Sequence, residues 1–195
     1  MQEGTVSRTN RERTEATRAA LIKAARSLFV EKGYAETGTP EIVAAAGVTR
    51  GALYHHFADK QALFRAVVEH ESAAVAEEIV RKSSDGTAIE MLIAGGNAFF
   101  SAMAVPGRTR LLLLDGPAVL GRAEMDAIDA RHAGRTLREG LAYAMEQGEI
   151  RPLPLDQLCA LLGAAFDRAA LAIRNEAETA EYQAVIGDLI KGLRP

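Results

Sequence analysis

Ile42 to Phe64 reads IVAAAGVTRGALYHHFADKQALF. A short apolar helix ending at Ala46, a break at Gly47 and a second short helix over Arg50–His56 make a helix-turn-helix unit. The first helix must cross the second steeply, so Ala44–Ala46 are small and Gly47 permits the turn. Thr49 is placed to cap the second helix. Leu53 and Phe57, four apart, form its buried side. Thr49, Arg50, Gly51, Tyr54 and His55 form the outer side, which in such a unit enters the major groove of DNA with its first residues at the base edges. Gly51 and Ala52 carry almost no side chain and let the helix sit deep in a groove. Asp59 can cap the next helix, and Lys60 begins it, where an ammonium and the helix amides suit a phosphate.

The flanking chain supports this unit. A first helix is expected over about Thr14–Lys32, with Leu21, Ala24, Ala25, Leu28 and Phe29 on one stripe and Gly33 at its end. Thr39-Pro40 gives an N-cap followed by proline at the first position of the helix over Thr39–Ala46. The candidate DNA-contacting set is Thr39, Thr49, Arg50, Gly51, Ala52, Tyr54, His55 and Lys60. The Tyr54 hydroxyl suits a phosphate and His55 the DNA backbone, whereas His56 is structural. His55 and His56 diverge by about 100° on a helix and cannot share a metal. Arg8, Arg11 and Arg13 suit either a minor-groove arm or a solvated tail.

On these residues the chain resembles the TetR family. The likeness lies in Thr17-Arg18, Ala24-Ala25, Leu28-Phe29 and Gly33-Tyr34 of the first helix. It continues through Ile42, the run Ala46–Gly51, Leu53–Phe57, Lys60 and Leu63-Phe64, and spans about residues 14–70. Gly38 stands where the family often has a capping Ser or Thr, and Val43 where Ala is usual. The resemblance implies an all-α fold: a three-helix DNA-binding domain joined through a fourth helix to a helical ligand-binding and dimerisation domain. It further implies a homodimeric repressor that binds a palindromic double-stranded operator and is released by a small-molecule effector.

The organisation expected is a basic arm over 1–13, the helix-turn-helix domain over 14–60, a connecting helix over 61–83 and the body over 84–195. The inner stripe of the connecting helix is Leu63, Val67, Ala74 and Ile79. Further helices are expected at about Ala88–Val105, Arg108–Leu114, Ala118–Gln147, Leu155–Asn175 and Thr179–Leu193, separated at Pro106-Gly107, Asp115-Gly116-Pro117, Gly148 and Pro152-Leu153-Pro154. Candidate walls of an effector site are Phe99, Phe100, Met103, Leu113 and Phe166, with Asn97 and Arg110 as polar anchors. Ser101, His132, Tyr143 and Arg168 are weaker candidates, and Asp115 reads as a helix cap.

The last two helices carry wide apolar stripes, Leu155, Leu158, Leu162, Ala165, Ala169 and Ala172 on one and Tyr182, Val185, Ile186, Leu189, Ile190 and Leu193 on the other. The helix from Leu155 is apolar or small around most of its circumference and needs neighbours on most sides. Two copies of the pair would form a two-fold, four-helix interface over 155–175 and 179–193.

Composition agrees. Apolar residues make up 48% of 195, enough to bury a core. Residues 1–60 carry nine Lys/Arg against seven Asp/Glu, and residues 61–195 fourteen against nineteen, so a weakly basic end is joined to an acidic body. Cys159 is the only cysteine, which excludes a disulfide framework and a cysteine-based zinc site. No apolar run reaches the roughly 18 residues of a membrane helix, and the N-terminus has no signal-peptide core. A cytoplasmic protein is expected. No catalytic spacing or phosphate-cradling glycine loop is present, so neither an enzyme nor a cofactor is expected.

Overall fold

The structure is a computed structural model that describes residues 3–82 and 86–195. Among these residues every regular element is helical. In chain order they are α1 (Glu3–Lys32), α2 (Thr39–Ala46), α3 (Arg50–His56), α4 (Lys60–Arg81), α5 (Ala88–Met103), α6 (Arg108–Arg110), a π-helical turn (Leu111–Asp115), α7 (Gly116–Leu120), α8 (Arg122–Arg131), α9 (Ala133–Glu146), α10 (Leu155–Ala172) and α11 (Glu176–Lys191). The expected boundary at 83–84 falls on residues outside the described ones.

Four expectations are corrected. First, α1 starts at Glu3 rather than Thr14, so the segment expected as an arm is helical. No Gly or Pro interrupts residues 5–32, and Arg11 pairs with Glu15 one turn on, at 2.8 Å. Second, Asp115-Gly116-Pro117 does not end a helix. The chain continues through a wide turn in which the Gly116 amide reaches back to the Leu111 carbonyl. Pro117 has no N–H and its ring crowds the preceding turn, and the wider turn accommodates both. The Asp115 side chain makes no cap there.

Third, the single helix expected over 118–147 is broken at Gly121 (φ 85°) and at His132. The His132 ring is drawn to Glu69 on α4, at 2.8 Å, and the Gly134 amide donates to Asp129. Fourth, Asn175 does not end α10 but caps α11, accepting from the Glu178 amide at 3.0 Å.

Helix α4 is buried along both sides. Leu63, Phe64, Val67 and Val68 are buried in its first half, Phe64 against Phe29 of α1, and Val75 and Ala76 lie further along, whereas Ala74 and Ile79 are only half-buried. One core therefore runs from the N-terminal head into the body: Leu21, Phe29, Ile42, Leu53 and Phe64 share it with Ala102, Leu111 and Ile128. A second core joins Ile89, Phe100, Leu141, Leu162, Phe166 and Ile190 of α5, α9, α10 and α11. Of the stripes expected at an interface, Leu162, Ala169, Ile186 and Ile190 are buried in this second core, while Val185 and Leu189 remain exposed.

A buried polar cluster forms a seam beside this core, between head and body. Glu71 on α4 is 3% exposed. It accepts two hydrogen bonds from Arg26 of α1, at 2.8 and 3.1 Å, and one from Arg108 of α6, at 2.9 Å. Burial alone would push the Glu71 carboxyl up, but the two guanidinium groups outweigh it and the net shift is downward.

Removing one partner of such a group strands the others. Glu71→Ala should lower stability by about 3–5 kcal/mol. A carboxyl with a depressed folded pKa contributes stability above its unfolded pKa, and that contribution is lost as pH falls through the folded value. Urea melts of the wild type and Glu71→Gln between pH 7 and about pH 3 should therefore converge at the acid end. Parallel curves would remove Glu71 from the acid response.

Candidate nucleic-acid interface

The reading head is assembled locally. Gly47 ends α2 in the left-handed conformation (φ 66°, ψ 30°), its amide donating to Ala44, while the Val48 amide donates to Val43 at 3.0 Å. No heavy atom outside its immediate neighbours lies within 4 Å of a Cβ built at Gly47, so the backbone angle, not space, calls for glycine. Thr49 caps α3, accepting from the Ala52 amide at 3.2 Å, and Asp59 caps α4, accepting from the Ala62 amide at 2.7 Å. Leu53 and Phe57 are buried as their spacing predicts. Thr49, Arg50, Gly51, Tyr54 and His55 are exposed, and Ala52 is half-buried.

Tyr54 is the centre of the outer face. The Arg50 guanidinium lies 5.5 Å from the ring centroid, and hydrogen bonds with Thr39 and Arg50 hold the phenol below its ordinary pKa. Thr39 does not cap α2. Gly38 holds that position without a side-chain bond, and the Thr39 side chain lies beside Tyr54. Burial, then the charges of His55 and Arg18, push the His56 imidazole down, which suits a neutral structural residue.

Lys60 departs from expectation. Its ammonium lies over the Tyr34 ring at 4.3 Å and donates to the carbonyls of Tyr34, Thr37 and Ala35, at 2.9, 3.1 and 3.5 Å. It fastens the turn between α1 and α2 rather than pointing to a phosphate.

This head, an all-helical body and the arrangement of the two match known proteins throughout. Residues 21–67 match the family of bacterial regulatory proteins, tetR family, and residues 89–193 match the tetracyclin repressor-like C-terminal domain. The chain belongs to the TetR family. It is 29% identical to the A-factor receptor protein of Streptomyces griseus over 94% of its own length, and spans 64% of that protein. It is 29% identical to the regulator TtgR of Pseudomonas putida, covering 73% of this chain and 72% of that one. The crystal structure of a TetR-family transcriptional regulator from Pectobacterium atrosepticum superposes with a TM-score of 0.76 at 33% identity, covering 94% of this chain and 97% of that one. The chain is thus a transcriptional regulator with a helix-turn-helix DNA-binding domain, and not an enzyme.

The expected effector residues of this TetR-family body do not converge on one space. Phe99, Phe100 and Phe166 pack on one another with ring centroids 5.5–5.7 Å apart and fill the interior. Leu113 packs on the first core. Arg110 is exposed, 3.2 Å from Asp115, and lies against Gly33 at the end of α1. His132 is held by Glu69, while Tyr143 and Arg168 are exposed. Phe100 and Met103 do line an open cleft of about 570 Å³, which lies beside the end of α5 and the junction of α10 and α11. Asn97 lines a smaller gap with Phe100 and Phe166. Ser101, one of the weaker candidates, lines the cleft too, whereas its Thr179, Asn175 and Gln183 have no periodic signal that would single them out in sequence.

Two substitutions separate fold from contact. A Cβ at Gly51 would meet only the Thr49 hydroxyl, at 3.8 Å, so the fold does not require glycine there. Gly51→Ala should stabilise the protein by up to about 1 kcal/mol in thermal melts. It should also weaken DNA binding, and tighter binding would show that no groove approaches this position. Lys60→Met should lower the melting temperature and leave the salt dependence of DNA binding unchanged. A salt slope reduced by about one would return Lys60 to the phosphate.

Proposed function

We propose that this regulator is a homodimeric repressor that binds a palindromic operator through α3 and is released by a small molecule. The observation that carries the reading is the outer face of α3, where Arg50 and Tyr54 are exposed and Gly51 meets no demand from the fold. Arg50 stands in the first turn, where a guanidinium is suited to a guanine edge in the major groove. Tyr54 and Thr39 suit phosphates on either side, with His55 beyond them.

Dimerisation is supported by Leu161, 72% exposed, with Ala164, Arg168 and Leu171 on one stripe of α10, and by Val185 and Leu189, 58% and 55% exposed, on α11. These apolar residues sit outside the chain's own cores, and Arg168 lies on the same stripe of α10 while Glu181 offers opposite charge on α11. A two-fold pairing of the helices would place two α3 helices on successive half-sites. A relative that is by name a receptor supports an effector for this chain as well.

The test is fluorescence anisotropy on DNA from the protein's own upstream region. Arg50→Ala should lose about 1–3 kcal/mol of affinity and relax base preference. In parallel, the wild type should sediment as a dimer at micromolar concentration and Leu161→Arg, Leu189→Arg as a folded monomer. An Arg50→Ala variant that binds as the wild type does would move the reading face, and a monomeric wild type would remove the dimer.

A further inference from the structure

The cleft beside α5 shares a wall with the seam that holds the reading head. Its floor is apolar, with Phe100, Met103 and Ala170 buried. Its sides carry uncharged polar groups, and the half-buried Gln183 carboxamide has no hydrogen-bond partner among the described residues. The hydroxyls of Ser101, Thr109 and Thr179 donate to the carbonyls of Asn97, Met103 and Asn175, which leaves their oxygens as acceptors. Arg174 and Glu176, both exposed, place one charge of each sign at the rim. Because these two charges offset each other, the lining has no net charge, and a charged guest entering this space would lose hydration for no net counter-charge. The volume of about 570 Å³ lies within the range of small-molecule sites.

The lip of the cleft is the turn from Ala104 to Gly107. On its far side the Pro106 carbonyl accepts from Arg26 of α1 at 3.2 Å, through the same guanidinium that holds Glu71. Gly107 (φ 81°) is seated so closely on α1 that a Cβ there would lie 2.4 Å from the methyl carbons of Val30. The next residue, Arg108, completes the Glu71 triad and donates to the Ala102 carbonyl at 2.7 Å. The turn is therefore fixed to α1 and α4 at three consecutive residues, and displacement of the lip must be transmitted or break one of these contacts.

We propose that this cleft binds an uncharged amphipathic small molecule, with an apolar body and one hydrogen-bonding edge, and that its occupancy reaches α1 through the Pro106 carbonyl and Arg26. The proposal rests on the ligand-responsive reading above and gives that reading a site, a ligand class and a route. A ligand shifts the head only insofar as it prefers one position of the lip over another.

The probe is N-phenyl-1-naphthylamine, an uncharged fluorescent amphiphile, titrated against the full chain, with anilinonaphthalene sulfonate as its anionic counterpart. One uncharged probe should bind per subunit, more tightly than the anionic one. Ala180→Trp, at the exposed rim, should weaken it at least tenfold with the melting temperature unchanged, and Gln183→Leu severalfold. Equal probe binding in wild type and both folded variants would overturn the site, and preference for the anionic probe would overturn the ligand class.

Hydrogen exchange reads the route. Bound probe should change exchange over residues 24–32 in the wild type and not in Arg26→Lys, which keeps a charge beside Glu71 but shortens the reach to Pro106. Unchanged exchange in the wild type would overturn the route. If the probe seats in the cleft while operator binding is unaffected, the site stands and small-molecule release of the operator falls.

Discussion

Glu71 is a carboxylate in a nearly dry place, and the arrangement of this protein depends on what surrounds it. A lone buried charge is too costly to keep, so the chain brings two guanidinium groups to it, one from α1 and one from α6. Each arginine then uses a remaining donor on a backbone carbonyl, Arg26 on Pro106 and Arg108 on Ala102. Unlike an apolar contact, this bonded set has direction. It specifies which turn of α1 faces which turn of α4 and where the α5–α6 turn must lie. Apolar burial supplies most of the driving force for folding, but it would tolerate sliding of these helices that a three-cornered ion cluster does not.

The continuous core has the complementary effect. Because Phe29, Ile42 and Leu53 of the head share one buried cluster with Ala102, Leu111 and Ile128, the head is not a bead on a flexible string. Helix α4 runs through both parts and is buried on both sides. The wide turn at Leu111–Asp115 belongs to the same economy of shape, burying Leu111 and Leu112 against this core while letting the chain run on through Gly116-Pro117. A change of position in the body is therefore mechanically close to a change of position in the head.

The outer face of α3 obeys a different rule. Most residues of the head are explained by contacts within the chain: Thr37 is buried and bonded to Leu28 and Gly33, and Lys60 is absorbed by carbonyls. Gly51 is not so explained, and Arg50 meets only Tyr54 on the same exposed face. Residues that the fold leaves free, grouped on the first turn of a firmly capped helix, are where recognition is placed without compromising stability.

The sequence by itself determined the helix-turn-helix, because its signals are local. The left-handed glycine at Gly47, the caps at Thr49 and Asp59 and the four-residue spacing of Leu53 and Phe57 each act within a turn or two of helix. The all-helical class followed equally from composition and the absence of period-two runs. Tertiary structure decided everything that joins residues distant in the chain. Lys60 reads as a phosphate ligand until the α1–α2 turn lies within its reach, and Thr39 reads as a cap until Tyr54 is brought beside it. Arg110 reads as a ligand anchor until it is found beside Gly33. Arg26, Glu71 and Arg108 look like ordinary surface charges along their helices. Only packing shows that one carboxylate between α1 and α6 holds both, because burial and long-range charge pairing have no period to read.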